Sequence, residues 1–141
     1  MAAYDSSNIF AKILKGEIPC HKIYEDEDTL AFLDIMPCSE GHALVITKTK
    51  SRDLFDVDPK ALAKLMEVVQ RLGPTIKDAV GADGVLIQQF NGAAAGQTVF
   101  HLHVHIVPVK QGVPLKPHTG QMADQAHLAA TAEKIRKALT S

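Results

Sequence analysis

Residues 101–109 read HLHVHIVPV and place three of the chain's seven histidines at every second position. Side chains alternate between the two faces of a β-strand, so this spacing predicts a strand with His101, His103 and His105 on one face. The aliphatic residues between the histidines would point to the other face and enter a core. The stretch therefore predicts a strand that is half core and half histidine surface.

Geometry limits what such a row can bind. At about 3.3 Å per residue, neighbouring histidines stand roughly 6.6 Å apart and the outer two roughly 13 Å apart. Zinc needs histidine nitrogens at about 2.0–2.1 Å, so a straight strand cannot bring all three to one ion. A metal site would need a further ligand, for which His42 is the candidate. A histidine-rich surface, or core histidines bonded to backbone carbonyls, is the simpler alternative.

A third interpretation is nucleophilic catalysis. A neutral imidazole, with an ordinary pKa of about 6.5, carries a lone pair that can attack phosphorus without a general base. Just upstream, residues 91–98 read NGAAAGQT, and small residues let backbone N–H groups approach a phosphate closely. This segment has neither the dinucleotide-binding nor the P-loop pattern, and alone it is equally consistent with a plain hairpin loop.

The remaining chain supplies strands and helices that do not alternate regularly. The first predicted element is a short helix from an N-cap at Ser7 to Gly16. Two strands follow around an acidic turn at 25–28, the second of them over 29–35, and further strands are predicted in GHALVITK (41–48), at 84–90 and at 100–109. A surface loop over 109–120 and a last helix at about 124–139 complete the chain. We expect an α+β fold, an antiparallel sheet of about five strands with helices packed on it.

One long amphipathic helix follows Asp58, which is predicted as its N-cap with Pro59 at the first helical position. Apolar residues recur at helical spacing from Leu62 to Val80. Pro74 inside this run is expected to kink or split the helix near Gly73.

Composition places the chain among ordinary globular proteins. It has 141 residues, 46% hydrophobic, and fifteen basic against sixteen acidic residues give a net charge of −1. Such a balance argues against a polymeric nucleic-acid partner, and no apolar run has the length of a membrane span. We predict a single domain over 1–141, in which 110–141 form a loop and C-terminal helix. The start shows no secretory pattern, so a cytoplasmic location is expected, with Cys20 and Cys38 as free thiols.

The segment GQTVFHLHVHIVP resembles the histidine triad (HIT) family, whose signature is His-x-His-x-His followed by two apolar residues. The blocks NIFAKILKGEIP, AFLDIMP, GHALVI, FNG and AGQTV are similar to that family's successive blocks, in order, from about residue 7 to 109. The resemblance implies an enzyme that hydrolyses or transfers nucleotidyl groups through a covalent nucleotidyl-histidine, without a metal or other cofactor.

By this resemblance His103 is the nucleophile, His105 contacts the phosphate, and His101 with His42 supports the row. The implied phosphate and leaving-group residues are Asn91, Gly96, Gln97 and Thr98. Asp34 would take the ribose hydroxyls, as suits a carboxylate facing a diol; its alternative role is to cap the turn before Pro37. The implied walls of the base pocket, which double as core candidates, are Ile9, Phe10, Ile18, Phe32, Ile35 and Leu44.

The chain departs from some relatives at two places. Asn8, Ala11 and Lys50 stand where zinc-binding relatives have two cysteines and a histidine, so no structural zinc is expected. Val109 replaces a frequent arginine, which makes the transfer of substrates from relatives less secure.

The resemblance also implies a homodimer with a purine nucleotide substrate, and a nucleoside phosphoramidate is the first expectation. A dinucleoside polyphosphate hydrolase and a nucleotide-binding module with little catalysis are the alternatives.

Overall fold

A computed structural model describes residues 3–117 and 121–140. Its elements are α1 (Ile9–Leu14), β1 (Lys22–Glu25), β2 (Thr29–Leu33), β3 (Ala43–Thr47), α2 (Pro59–Ala79), β4 (Gly84–Gln88), a short 3-10 turn (Ala93–Ala95), β5 (His103–Val109) and α3 (Gln125–Thr140). The strands form one antiparallel sheet in the order β1-β2-β3-β5-β4. The predicted α+β fold is confirmed.

The two faces of the sheet carry different partners. One face packs against α2 and α3 and contains the aliphatic residues Val104 and Ile106 of β5. The other face packs against α1, where Phe10 meets Phe32 and Leu44. In the ladder His105 pairs with Leu44 and His103 with Ile46, so the two histidines share the α1 face.

The long helix begins as predicted. The Asp58 side chain accepts hydrogen bonds from the Lys60 and Ala61 N–H groups, and Pro59 occupies the first turn. Of the kink or split predicted near Gly73, the split is wrong, because α2 continues through Pro74. Pro74 is exposed, and so is Gln70, whose carbonyl the proline leaves without a donor, so water can satisfy that carbonyl.

Several predicted element ends also shift, among them that of β4, which ends at Gln88 and not at residue 90. The N-cap of α1 is Asn8, whose side chain accepts from the Ala11 N–H at 2.9 Å, while Ser7 donates to Asp5 instead. The strand β2 ends at Leu33, since the carboxylate of Asp34 opens a turn. The strand β5 begins only at His103. Of the predicted loop over 109–120, residues 118–120 lie outside the described residues.

The late start of β5 has a specific cause. The N–H of Leu102 donates to the Ser51 carbonyl at 2.8 Å, which takes this part of the backbone out of the sheet. His101 therefore precedes the strand rather than belonging to it.

Within the described ranges, no helix combines the length and apolar character that a bilayer span requires.

Gly41, which precedes His42, has the closest neighbouring atoms of all the glycines that the structure describes. It has φ +87°, and a Cβ there would lie 2.9 Å from Val80 Cγ1 and 3.3 Å from Pro108 Cγ. Gly16 has a similar φ of +79° but open space around it.

We expect Gly41→Ala to lower the free energy of unfolding by about 1–3 kcal/mol more than Gly16→Ala does. Both variants place an alanine at a positive φ, which is unfavourable for a residue with a Cβ, but only Gly41→Ala also forces neighbouring side chains apart. Urea titrations of both variants measure the difference, and equal losses would show that the close approach at Gly41 carries no penalty.

Candidate active site

A cavity of about 270 Å³ opens between α1 and the histidine face of the sheet. All six predicted wall residues line it, namely Ile9, Phe10, Ile18, Phe32, Ile35 and Leu44. His103, His105, Asp34 and Thr98 line the same cavity. One pocket therefore brings together apolar walls, two histidines and a carboxylate from segments far apart in sequence.

The hydrogen bonds of His103 fix its tautomer. Its Nδ1 lies 2.6 Å from the backbone carbonyl of His101, which can only accept, so Nδ1 carries the hydrogen. In the neutral ring the lone pair then resides on Nε2. Phe10 packs edge-on against this imidazole with ring centroids 4.9 Å apart, which helps to hold its orientation.

A second chain of hydrogen bonds gives His105 the opposite tautomer. The Cys38 N–H donates to His42 Nδ1 at 3.0 Å, so neutral His42 carries its hydrogen on Nε2. His42 Nε2 lies 3.0 Å from His105 Nδ1 and donates to it, which leaves the His105 hydrogen on Nε2. The rings of His103 and His105 lie 5.0 Å apart. An acceptor nitrogen and a donor nitrogen thus occur side by side in one pocket.

His101 is fully buried behind this pair. Its Nε2 donates to the Thr47 carbonyl at 2.7 Å, and its Nδ1 accepts from the Tyr4 hydroxyl at 2.6 Å. Burial lowers the pKa of His101 below its ordinary 6.5 and outweighs the opposite effect of the Thr47 carbonyl. His101 is therefore neutral at physiological pH, and its carbonyl holds His103.

Asp34 is shared between the pocket and a turn. Its Oδ1 accepts from the Met36 N–H at 2.8 Å, as the turn-capping alternative predicts. Its Oδ2 lies 3.7 Å from His42 Nε2. Because Asp34 also lines the cavity, the turn contact fixes the carboxylate without removing it from the pocket.

Of the predicted phosphate-loop residues, one lines the pocket and the other three maintain the conformation of the loop. Only Thr98 of the four predicted residues lines the pocket. Gln97 is buried, donates to the carbonyls of Arg52 and Val99, and accepts from the Gly92 N–H. Asn91 accepts from the Leu54 N–H and exchanges hydrogen bonds with Gln89. Gly96 ends the turn with φ +106°, a conformation that favours glycine.

Three side chains approach the geometry of a metal site. Single ligand atoms of Asp34, His42 and His105 all lie within 4.8 Å of one another. A metal on His42 Nε2 would require the hydrogen to move to Nδ1, where it would face the Cys38 N–H. Metal binding would therefore break the contact that orients His42, and the residues fit hydrogen-bonded imidazoles better than a metal centre.

Several residues that line the pocket or hold its histidines were not predicted from the sequence. Ile13 lies on the same helical face as Ile9 and could have been found from that spacing. Tyr4 and the backbone groups of Thr47 and Cys38 are joined to the histidines by long-range contacts that leave no local pattern.

Comparison with known proteins shows the family to which the chain belongs. The HIT domain matches residues 15–112. A HIT-like protein from Bartonella henselae, crystallised with an unknown ligand, shares 46% identity and a TM-score of 0.90, covering 96% of this chain and 99% of that one. An adenosine 5'-monophosphoramidase from Schizosaccharomyces pombe is 41% identical over 102 residues, 72% of this chain and 74% of the relative. An adenylylsulfatase from Arabidopsis thaliana is 42% identical over 103 residues, 73% of this chain, and this chain spans about half (52%) of it.

The fold and its paired histidines define a histidine triad protein. This chain belongs to the HIT family.

The buried His101 predicts a pH effect on stability. Its pKa is depressed in the folded state, so below about pH 6.5 the unfolded state binds the proton more readily. The His101 contribution to the free energy of unfolding therefore falls as the pH drops through 6.5.

Urea titrations at pH 7.5 and 5.5 test this expectation, with His101→Gln as the variant that cannot titrate. The wild type should lose more stability between the two pH values than the variant loses. An equal loss would mean that His101 is not protonated preferentially on unfolding.

Proposed function

We propose that this protein cleaves purine nucleoside phosphoramidates at the α-phosphorus through a covalent nucleotidyl-histidine. At the level of the family it is a nucleotide-processing hydrolase. The observation that carries the finer proposal is the pair of opposite tautomers, with a lone pair on His103 Nε2 beside a hydrogen on His105 Nε2. A nucleophile and a hydrogen-bond donor for the phosphate are thereby in place before substrate binds.

The first half-reaction forms a bond from His103 Nε2 to phosphorus as the bond from phosphorus to the leaving nitrogen breaks. That nitrogen, protonated from solvent, departs as a neutral amine. The ring of His103 becomes an imidazolium, and its Nδ1–H remains bonded to the His101 carbonyl, which stabilises the new positive charge. The His105 Nε2–H donates to a phosphoryl oxygen and offsets the charge that develops there.

Water completes the reaction. It attacks phosphorus, the bond to His103 Nε2 breaks, and one proton returns to solvent. The products are the nucleoside monophosphate and the neutral imidazole with which the cycle began. No metal or cofactor takes part in these steps.

The pocket wall suits a nucleoside. The apolar residues offer surface for the faces of a purine, and Asp34 at the pocket wall can accept hydrogen bonds from the ribose hydroxyls. The Thr98 side chain, exposed near the histidines, can donate to the phosphate. The pocket's volume and its mixture of groups support a mononucleotide unit as the part of the substrate that is bound.

The charge of the pocket favours phosphoramidates over dinucleoside polyphosphates. Among the described residues that line the pocket, none is lysine or arginine. Burial raises the pKa of the Cys20 thiol in its wall, which keeps that group neutral as well. A phosphoramidate carries little charge, whereas a polyphosphate chain is usually bound by cationic groups.

We expect the wild-type chain to release AMP from adenosine 5'-phosphoramidate, and His103→Ala to reduce kcat/KM by at least about 10³-fold. The matched control is His127→Ala, since His127 is an exposed histidine of α3. Quenched reactions should contain an acid-labile, base-stable phosphorus adduct on the wild type and none on His103→Ala.

Turnover by His103→Ala at the parental rate would remove His103 as the nucleophile. Nucleotide binding without turnover by the wild type would favour a binding module. Diadenosine tetraphosphate, tested in parallel, should be the poorer substrate if the absence of lysine and arginine from the described lining selects against polyphosphate.

We further propose that the chain forms a homodimer through the outer edge of β4 and the neighbouring part of α2. The strand β4 is paired on one side, with β5, and its residues Leu86 and Ile87 are 38% and 44% exposed. On α2, Met66 is 41% exposed. Unpaired strand edges with apolar side chains are ready sites for pairing with a second copy.

Light scattering coupled to gel filtration tests this assembly. The wild type should elute with twice the chain mass, and Ile87→Asp should shift it toward the monomer because a charge would be buried at the edge. Met122→Asp changes a methionine that is 63% exposed and is followed by Ala123, whose N–H donates to the Ile35 carbonyl and not to β4, so it should leave the mass unchanged. A monomeric wild type would contradict the proposal.

The cytoplasmic location and single-domain organisation stay predictions.

A further inference from the structure

The residues before α1 form an arm, residues 3–8, that reaches the back of the histidine row. Tyr4 in this arm donates its hydroxyl hydrogen to His101 Nδ1 at 2.6 Å, across 97 positions of sequence. The two rings also meet edge to face with centroids 5.6 Å apart. The arm therefore contacts a histidine that the sequence analysis placed in the supporting role.

The arm is held at both ends. At one end Asn8 caps α1 and its side-chain amide donates to the Asp5 carbonyl at 2.8 Å. At the other end the Arg52 guanidinium donates to the Ala3 carbonyl at 3.3 Å and stacks over the Phe100 ring. Tyr4 thus lies in a segment fixed on either side.

The direction of the Tyr4 hydrogen bond follows from the opposite side of the ring. His101 Nε2 must donate to the Thr47 carbonyl, so its Nδ1 must accept, and the Tyr4 hydroxyl is a donor of the right kind. His101 is fully buried, so bulk water does not reach this nitrogen. Without the hydroxyl, a buried acceptor would lose its hydrogen bond.

The contact is relevant to the reaction because His101 has two roles at once. Its ring is held by Tyr4 and Thr47, while its carbonyl accepts the Nδ1–H of His103. His101 lies outside the β5 ladder, so the ring contacts replace sheet hydrogen bonds in setting where this carbonyl points. Loss of the Tyr4 hydroxyl would therefore affect His103 through the position of the His101 carbonyl.

We propose that Tyr4 is a positioning residue, which acts through His101 to hold the tautomer and orientation of His103. This inference rests on the proposed function for its kinetic readout. Tyr4 is not among the residues that line the nucleotide pocket, so its effect should fall on the rate of the chemical step and not on nucleotide binding.

The test compares Tyr4→Phe with wild type and with Tyr24→Phe as the matched control. Tyr24, on β1, donates its hydroxyl hydrogen to the Asp26 carboxylate and does not line the pocket, so the loss of this hydroxyl should leave catalysis unchanged. For Tyr4→Phe with adenosine 5'-phosphoramidate we expect kcat to fall about 5- to 30-fold, the size of one lost buried hydrogen bond. KM should stay within about twofold of the wild-type value.

Long-range ¹⁵N spectra of the imidazoles provide a readout that is independent of activity. In the wild type, His101 should show an unprotonated Nδ1 and His103 a protonated Nδ1. In Tyr4→Phe the His101 Nδ1 signal should shift because this nitrogen loses its hydrogen-bond donor, while Nε2 stays protonated toward the Thr47 carbonyl. The His103 signals should shift as well, whereas Tyr24→Phe should match the wild type.

An unchanged kcat in Tyr4→Phe, or a rise in KM alone, would overturn the positioning role while leaving the proposed function intact. A wild type inactive on the phosphoramidate would instead overturn the proposed function. In that case the ¹⁵N spectra decide the contact by themselves, since histidine signals identical in Tyr4→Phe and wild type would refute it.

Discussion

The hydrogen bond from His103 Nδ1 to the His101 carbonyl is the interaction on which the site depends. It converts a ring with two interchangeable nitrogens into one with a defined lone pair. It is made possible by the irregular backbone at residues 101–102, where the Leu102 N–H turns away to the Ser51 carbonyl. A regular strand from residue 100 would have engaged this part of the chain in the sheet and left His103 less constrained.

The neighbouring histidines show how one residue type acquires different properties. His105 receives a hydrogen bond at Nδ1 from His42, whereas His103 donates from the same atom. The difference originates in backbone groups, the Cys38 N–H in one case and the His101 carbonyl in the other. Imidazoles whose donors and acceptors are fixed in this way can take different parts in nucleophilic attack and in charge stabilisation.

Much of this arrangement could be predicted from sequence, because it follows from local periodicity. The alternation in residues 103–106 correctly separates core from pocket, and the cap at Asp58 fixes the start of α2. Family blocks anticipated the apolar wall, all six residues of which line one cavity. The start of β5 and the cap of α1 were misplaced, because each depends on one side-chain or long-range hydrogen bond that competes with the regular pattern. Tyr4 could not be foreseen, since nothing near residue 4 signals a partner at residue 101.

The absence of lysine and arginine from the described lining of the pocket has a consequence for how a nucleotide arrives. Attraction between exposed charges decays over about 8–10 Å at physiological ionic strength and steers charged ligands toward basic clefts. Beside its two histidines, the charged side chain that the described lining contributes is the carboxylate of Asp34. On the proposed function, a nucleotide is therefore recognised at this wall by shape and direct contact and not by attraction to a lysine or arginine of the lining.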